Sequence, residues 1–174
     1  MTRNGGIFLA AVTAGLVLLS GCGAIKNTKN SDVLDQVGRA VGIDVSDGVL
    51  LSKQDSHGGF HGDGNFLAVI AFSDDQVGEQ IAGSGWAALP PDETVEILLY
   101  GQESDEKKEG PYFTDEEGKP LIPEIEKGYY WLKDRQAEPG MAAGADILHR
   151  GSFNFSVAVY DADGRILYYG EMDT

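Results

Sequence analysis

The most constraining feature of this 174-residue chain is the apolar run at residues 7–19, which ends in Leu19-Ser20-Gly21-Cys22. Arg3 precedes the run, and small residues precede Cys22, the sole cysteine. Charge, apolar stretch and small residues in that order read as a secretory signal. Thirteen helical residues span about 20 Å, short of the roughly 30 Å hydrocarbon core, so a transmembrane helix fits less well. Residues 1–21 are therefore set aside from the fold. With one cysteine and no pair, the remaining domain must hold together without a disulfide. The competing reading is a core cysteine in a plain N-terminal helix.

Leu19-Ser20-Gly21-Cys22 resembles a lipobox. The resemblance implies a thioether diacylglycerol on Cys22, cleavage before it, and palmitate-type acyl chains. Two or three acyl chains hold a protein to a membrane far more firmly than one. Residues 22–31 read as a lipidated polar tether, reaching at most about 30 Å when stretched. Lys26 and Lys29 could meet anionic head groups or serve only solubility.

Residues 32–174 are about the length of one domain with one core. The chain carries 13 Lys and Arg against 28 Asp and Glu, a net charge of −15. Removing the signal takes away Arg3 and no acid, leaving −16. Such a charge repels nucleic acid and excludes it as a partner. It suits solubility, cations or a basic partner.

Periodicity predicts a helix at 32–41, capped by Asp32, with Val33, Val37, Ala40 and Val41 on one face. Strands are expected at 49–53 and 65–72. Ser73 and Gln76 have capping-box spacing before a second helix carrying Val77 and Ile81. Residues 94–100 and 128–134 read as strands. The alternation of Phe153, Phe155, Val157 and Val159 with polar neighbours marks a half-buried strand. Asp161-Ala-Asp-Gly164 turns it into a hairpin with the residues that follow. The expected fold is α+β: a mostly antiparallel sheet of about six strands, with two short helices on one face.

The chemistry-bearing candidate is the stretch from Asp55 to Gly64. His57, His61 and Asp63 form a candidate metal set, with Asp55 beside them and His149 as a distant recruit. Imidazole and carboxylate suit zinc or another divalent metal. The alternative is a tight turn whose polar side chains bond to backbone. Asp161, Asp163 and Glu171 have the wrong glycine and glutamate positions for an EF-hand. Glu124 and Glu126 read as a solvated pair, and Trp86, Tyr129, Tyr130 and Trp131 as core or a stacking surface. The sequence has no nucleophile elbow, P-loop or dinucleotide fingerprint.

Several stretches together resemble small uncharacterised lipoproteins of Gram-positive bacteria. They are His57-Gly-Gly-Phe-His-Gly-Asp-Gly64, Trp86-Ala-Ala-Leu-Pro-Pro91, Ile122-Pro-Glu-Ile-Glu-Lys-Gly-Tyr-Tyr130, Asp134-Arg135 and Ser152-Phe-Asn-Phe155. The likeness runs in order over most of the mature chain. It implies a cell-envelope protein held on the outer face of the cell membrane through Cys22. No activity carries over from the group. The leading expectation is a non-enzymatic module that binds a protein or small-molecule ligand without a cofactor. The alternative is a metal-binding lipoprotein or metal-dependent hydrolase using His57, His61 and Asp63.

Overall fold

The computed structural model describes residues 28–58, 62–103, 108–140, 144 and 147–174. Cys22, the signal and His61 lie outside the described residues. The elements, in chain order, are α1 Thr28–Val41, β1 Val49–Asp55, β2 Gly64–Ala71, α2 Gln76–Ala82 and β3 Ala87–Ala88. Then come α3 Glu93–Tyr100, β4 Gln102–Glu103, β5 Lys108–Glu109 and β6 Gly128–Asp134. A 3-10 turn at Ile147–His149 leads to β7 Asn154–Asp161 and β8 Ile166–Asp173.

Among the described residues, six strands form one sheet in the order β1-β2-β8-β7-β6-β3. Every neighbouring pair is antiparallel. β4 and β5 make a separate two-stranded ribbon. The fold class is thus the α+β, antiparallel six-strand arrangement read from the pattern. The β7–β8 hairpin forms as the alternation predicts, in register from Asn154 opposite Asp173 to Asp161 opposite Ile166. The Asp161 carboxylate accepts from the N–H groups of Asp163 and Gly164, both at 2.9 Å, so it closes the turn.

Strand side chains alternate between faces, and here both faces are covered. On one face, Val33, Leu34, Val37 and Val41 of α1 and Val77 and Ile81 of α2 pack on Phe66, Ala68, Ile70, Ala158, Tyr160 and Tyr169. On the other, Val95, Leu98 and Leu99 of α3, with Phe113, Ile122 and Ile147, pack on Leu67, Phe155, Val157 and Val159. Among the described residues the α-helices number three and lie on two faces, where two on one face are expected. The added helix is α3, where the residue pattern predicts a strand over 94–100. Its apolar run is buried so completely that periodicity cannot separate helix from strand. What decides is the start: Asp92 accepts from the Val95 N–H at 2.9 Å, and Glu93 and Glu96 occupy the first turn.

Two other starts differ. α1 begins at Thr28, so it absorbs the end of the expected tether and places Asp32 inside the helix. At α2 the backbone donor Gln76 N is met by Asp74 Oδ1 at 3.1 Å rather than by a capping box from Ser73. β1 is the sheet's edge, and it exposes Val49 (63 %) and Leu51 (56 %). A register irregularity between Leu50 and Ser52 kinks that edge.

Candidate functional site

His57 lies two residues past β1, at the sheet end where β1 and β8 finish and β2 begins. The β1–β2 ladder continues one step past Asp55, with Ser56 N donating to Asn65 O at 2.8 Å and Asn65 N donating to Ser56 Oγ at 2.8 Å. The β2–β8 register then sets Gly64 opposite Asp173. Gly64 is needed for close approach: a Cβ there would stand 2.6 Å from both N and Cα of His57. This crowding brings the imidazole to the C-terminal strand.

His57 Nδ1 lies 3.0 Å from Asp55 Oδ1, and its Nε2 lies 3.2 Å from Asp173 Oδ2. Lys53 Nζ holds the other Asp55 oxygen at 3.2 Å. Arg135 pairs with Asp173 and also donates to Met172 O at 3.0 Å and Ser156 Oγ at 3.1 Å. Glu171 stands 4.0 Å from Arg135 and accepts from the Tyr169 hydroxyl. Burial works against a charged His57, but its bonds to Asp55 and Asp173 outweigh that and raise its pKa above the usual value. Asp55 is held below the usual carboxylate range, chiefly by His57 and, against burial, by Lys53. A neutral imidazole donates from one nitrogen only, so two carboxylate partners call for the imidazolium. With His57 charged, Lys53, His57 and Arg135 balance Asp55, Glu171 and Asp173.

The metal reading fares differently at each residue. Asp63 is exposed, and both ring nitrogens of His57 face carboxylates. His149 ends the 3-10 turn. Among the described residues, no three His, Cys, Asp or Glu side chains converge in a metal-holding geometry. Sequence alone missed Asp173 and Arg135, which complete the cluster, because they lie 116 and 78 positions from His57.

A cleft of about 270 Å³ opens beside this cluster. Gln54, Asp55, Ser56 and Thr114 supply polar groups over a floor that includes Leu67 and Phe113.

The aromatic residues do not make one surface. Trp86 is buried and stacks on Trp131, with centroids 6.3 Å apart and planes at 24°. Tyr129 packs on the same face, whereas Tyr130 packs on the other and bonds through its hydroxyl to Asp92. A groove of about 310 Å³ lies instead between Pro90 and Pro91, α3 and residues 124–126. Tyr100 and Ile125 line it together with Glu96, Glu124 and Glu126. Glu124 and Glu126 come from irregular chain and are exposed. Tyr100 donates to Pro123 O at 3.0 Å. Burial, then Glu124 and Glu96, pushes its phenol up to about 12.

The chain matches no family model, no curated protein and no solved structure. Among the described residues, no helix is long and apolar enough to cross a membrane.

Proposed function

We propose that this chain is a lipid-anchored, outward-facing binding module of the cell envelope, tethered through Cys22. Its protein or small-molecule ligand would seat in the cleft at the end of β1 and β2. The observation that carries this reading is the cleft itself. It is concave, of small-ligand size, and combines an apolar floor with a few convergent polar groups. Gln54 and Thr114 offer an amide and a hydroxyl to a polar, hydrogen-bonding ligand, while Asp55 and Ser56 line the cleft with their side chains bonded to Lys53, His57 and Asn65. The apolar run before Cys22 supports the anchor. The reading requires no catalytic step and no cofactor.

Two measurements test it. Incorporation of an alkyne fatty acid into the full chain, lost together with membrane retention in Cys22→Ala, is the expected result for the anchor. Unchanged fractionation of that variant would remove it. For the cleft, the full chain and Gln54→Trp serve as paired baits in native envelopes. Gln54 is exposed on β1, so the larger side chain fills the cleft without entering the core. A molecule held by the parent and lost from Gln54→Trp supports the reading. Identical capture by both baits contradicts it.

A further inference from the structure

The groove at Tyr100 has a different character from the cleft, and it stands independently of it. Its walls are Pro90, Pro91, Ile125 and the Tyr100 ring, and Glu96, Glu124 and Glu126 are exposed on its rim. Glu96 and Tyr100 lie four residues apart on α3, so they share one helix face. The Tyr100 hydroxyl is tied to Pro123 O, which fixes the ring in place and joins α3 to residues 124–126. Among the described residues, no Lys, Arg or His pairs with any of the three glutamates. Burial is the main cause of the high Tyr100 pKa, and Glu124 and then Glu96 raise it further.

We propose that this groove docks an arginine side chain presented by a basic segment of a protein partner. Apolar walls cover the methylene stem of such a side chain, as they do wherever long cations lie along apolar surface. The planar guanidinium stacks on an aromatic face and takes carboxylates in fork geometry. The groove supplies both kinds of contact, and among the described residues no cation of its own competes. It remains open to solvent on one side, which leaves room outside for the backbone that carries the side chain. A chain of net charge −15 also attracts a basic partner over distance.

The test uses the full chain in neutral-detergent micelles and two blocked pentapeptides, Gly-Ser-Arg-Gly-Ser and its Arg-to-Gln counterpart, each carrying an uncharged dye. Binding is read by fluorescence anisotropy at low salt. The Arg peptide should bind and the Gln peptide should not. Glu124→Gln with Glu126→Gln should weaken the Arg peptide about tenfold, the size of one strong charged contact. Glu116→Gln with Glu138→Gln removes the same charge from exposed positions away from the groove and should leave binding within about twofold. Equal weakening by both pairs would show attraction to the overall charge and overturn the proposal. Equal binding of the two peptides, or binding of neither, would overturn it as well. None of these results bears on Gln54→Trp capture, so the cleft and the groove fail separately.

Discussion

Two charged regions of the molecule, the sheet end at His57 and the groove at α3, are built in opposite ways. At the sheet end, Lys53, Asp55, His57, Asp173, Arg135 and Glu171 neutralise one another through directed contacts. At the α3 groove, Glu96, Glu124 and Glu126 line the space beside the Tyr100 phenol and meet no cation among the described residues. By residue type, the histidine-rich loop is the more chemical of the two. By geometry, Lys53, Asp55, His57, Arg135, Glu171 and Asp173 are already paired with each other. Paired charges specify structure, and unpaired ones remain available to a ligand. The glutamates read as an ordinary solvated face therefore make the more open site.

The contrast is broken most directly at Arg135. Arg135→Ala leaves Glu171 without its cation and Asp173 with His57 alone, and it removes donors from Ser156 and Met172. Its side chain is only 27 % exposed, so solvent replaces these contacts poorly. The expected loss is about 3 kcal/mol, read as a lower urea midpoint at unchanged m-value. A loss below about 1 kcal/mol would mean the cluster does not hold the sheet end together. Gly64→Ala comes next. Its Cβ would press on the His57 backbone, which cannot swing aside as a side chain could. We expect about 2 kcal/mol of destabilisation, typical of overpacking. Thermal unfolding of Gly64→Ala beside Gly62→Ala would separate contact from backbone effects. Gly62 has φ +75° and open space at its Cβ.

How much of this was legible in the sequence follows from the range of each interaction. The β7–β8 hairpin was readable, because alternation and an Asp-Gly turn lie within one local stretch. The α3 helix was not, because Val95, Ile97, Leu98 and Leu99 make a nearly continuous apolar run over a stretch too short for Glu93, Glu96 and Tyr100 to set a period. Asp92 and its two following acids held the signal, as an N-cap after a Pro-Pro pair. That misreading also hid the groove, since Glu96 and Tyr100 share a face only on a helix. At the sheet end, Asp55 and His57 were visible as neighbours. Their partner Asp173 depends on the β2–β8 register, which no local pattern encodes.

The pH dependence of folding sharpens the comparison further. His57 has a folded pKa above the unfolded value of about 6.5. Its contribution is therefore full below about pH 6.5 and is lost as pH rises through the folded value. Asp55 has a folded pKa below the unfolded value of about 3.9. Its contribution is present above that pH and is lost as pH falls through the folded value. The two windows overlap between about pH 4 and pH 6.5. The stability gap between the parent and His57→Gln should be widest there and should narrow toward pH 8. Partial exposure of both side chains limits it to about 1 kcal/mol. Urea midpoints across that pH range decide it, and a constant gap would mean that the His57 charge contributes nothing.

The smallest effect on stability belongs at the groove, and its smallness is the point. Glu124→Gln with Glu126→Gln should change stability by less than about 0.5 kcal/mol, since both side chains are exposed and neither holds a cation among the described residues. Relief of like-charge repulsion could even make the sign favourable. The same pair should lower the Tyr100 pKa from about 12, because Glu124 is one of its causes. The fall should be partial, since burial is the larger cause and the substitutions leave it in place. Ultraviolet titration, with Tyr100→Phe subtracted to isolate this phenol, measures the change. A lowered Tyr100 pKa at unchanged stability would show that these carboxylates set the field of the groove without supporting the fold. A loss above about 1 kcal/mol would make them structural, like the cluster at His57, and the difference between the two regions would disappear.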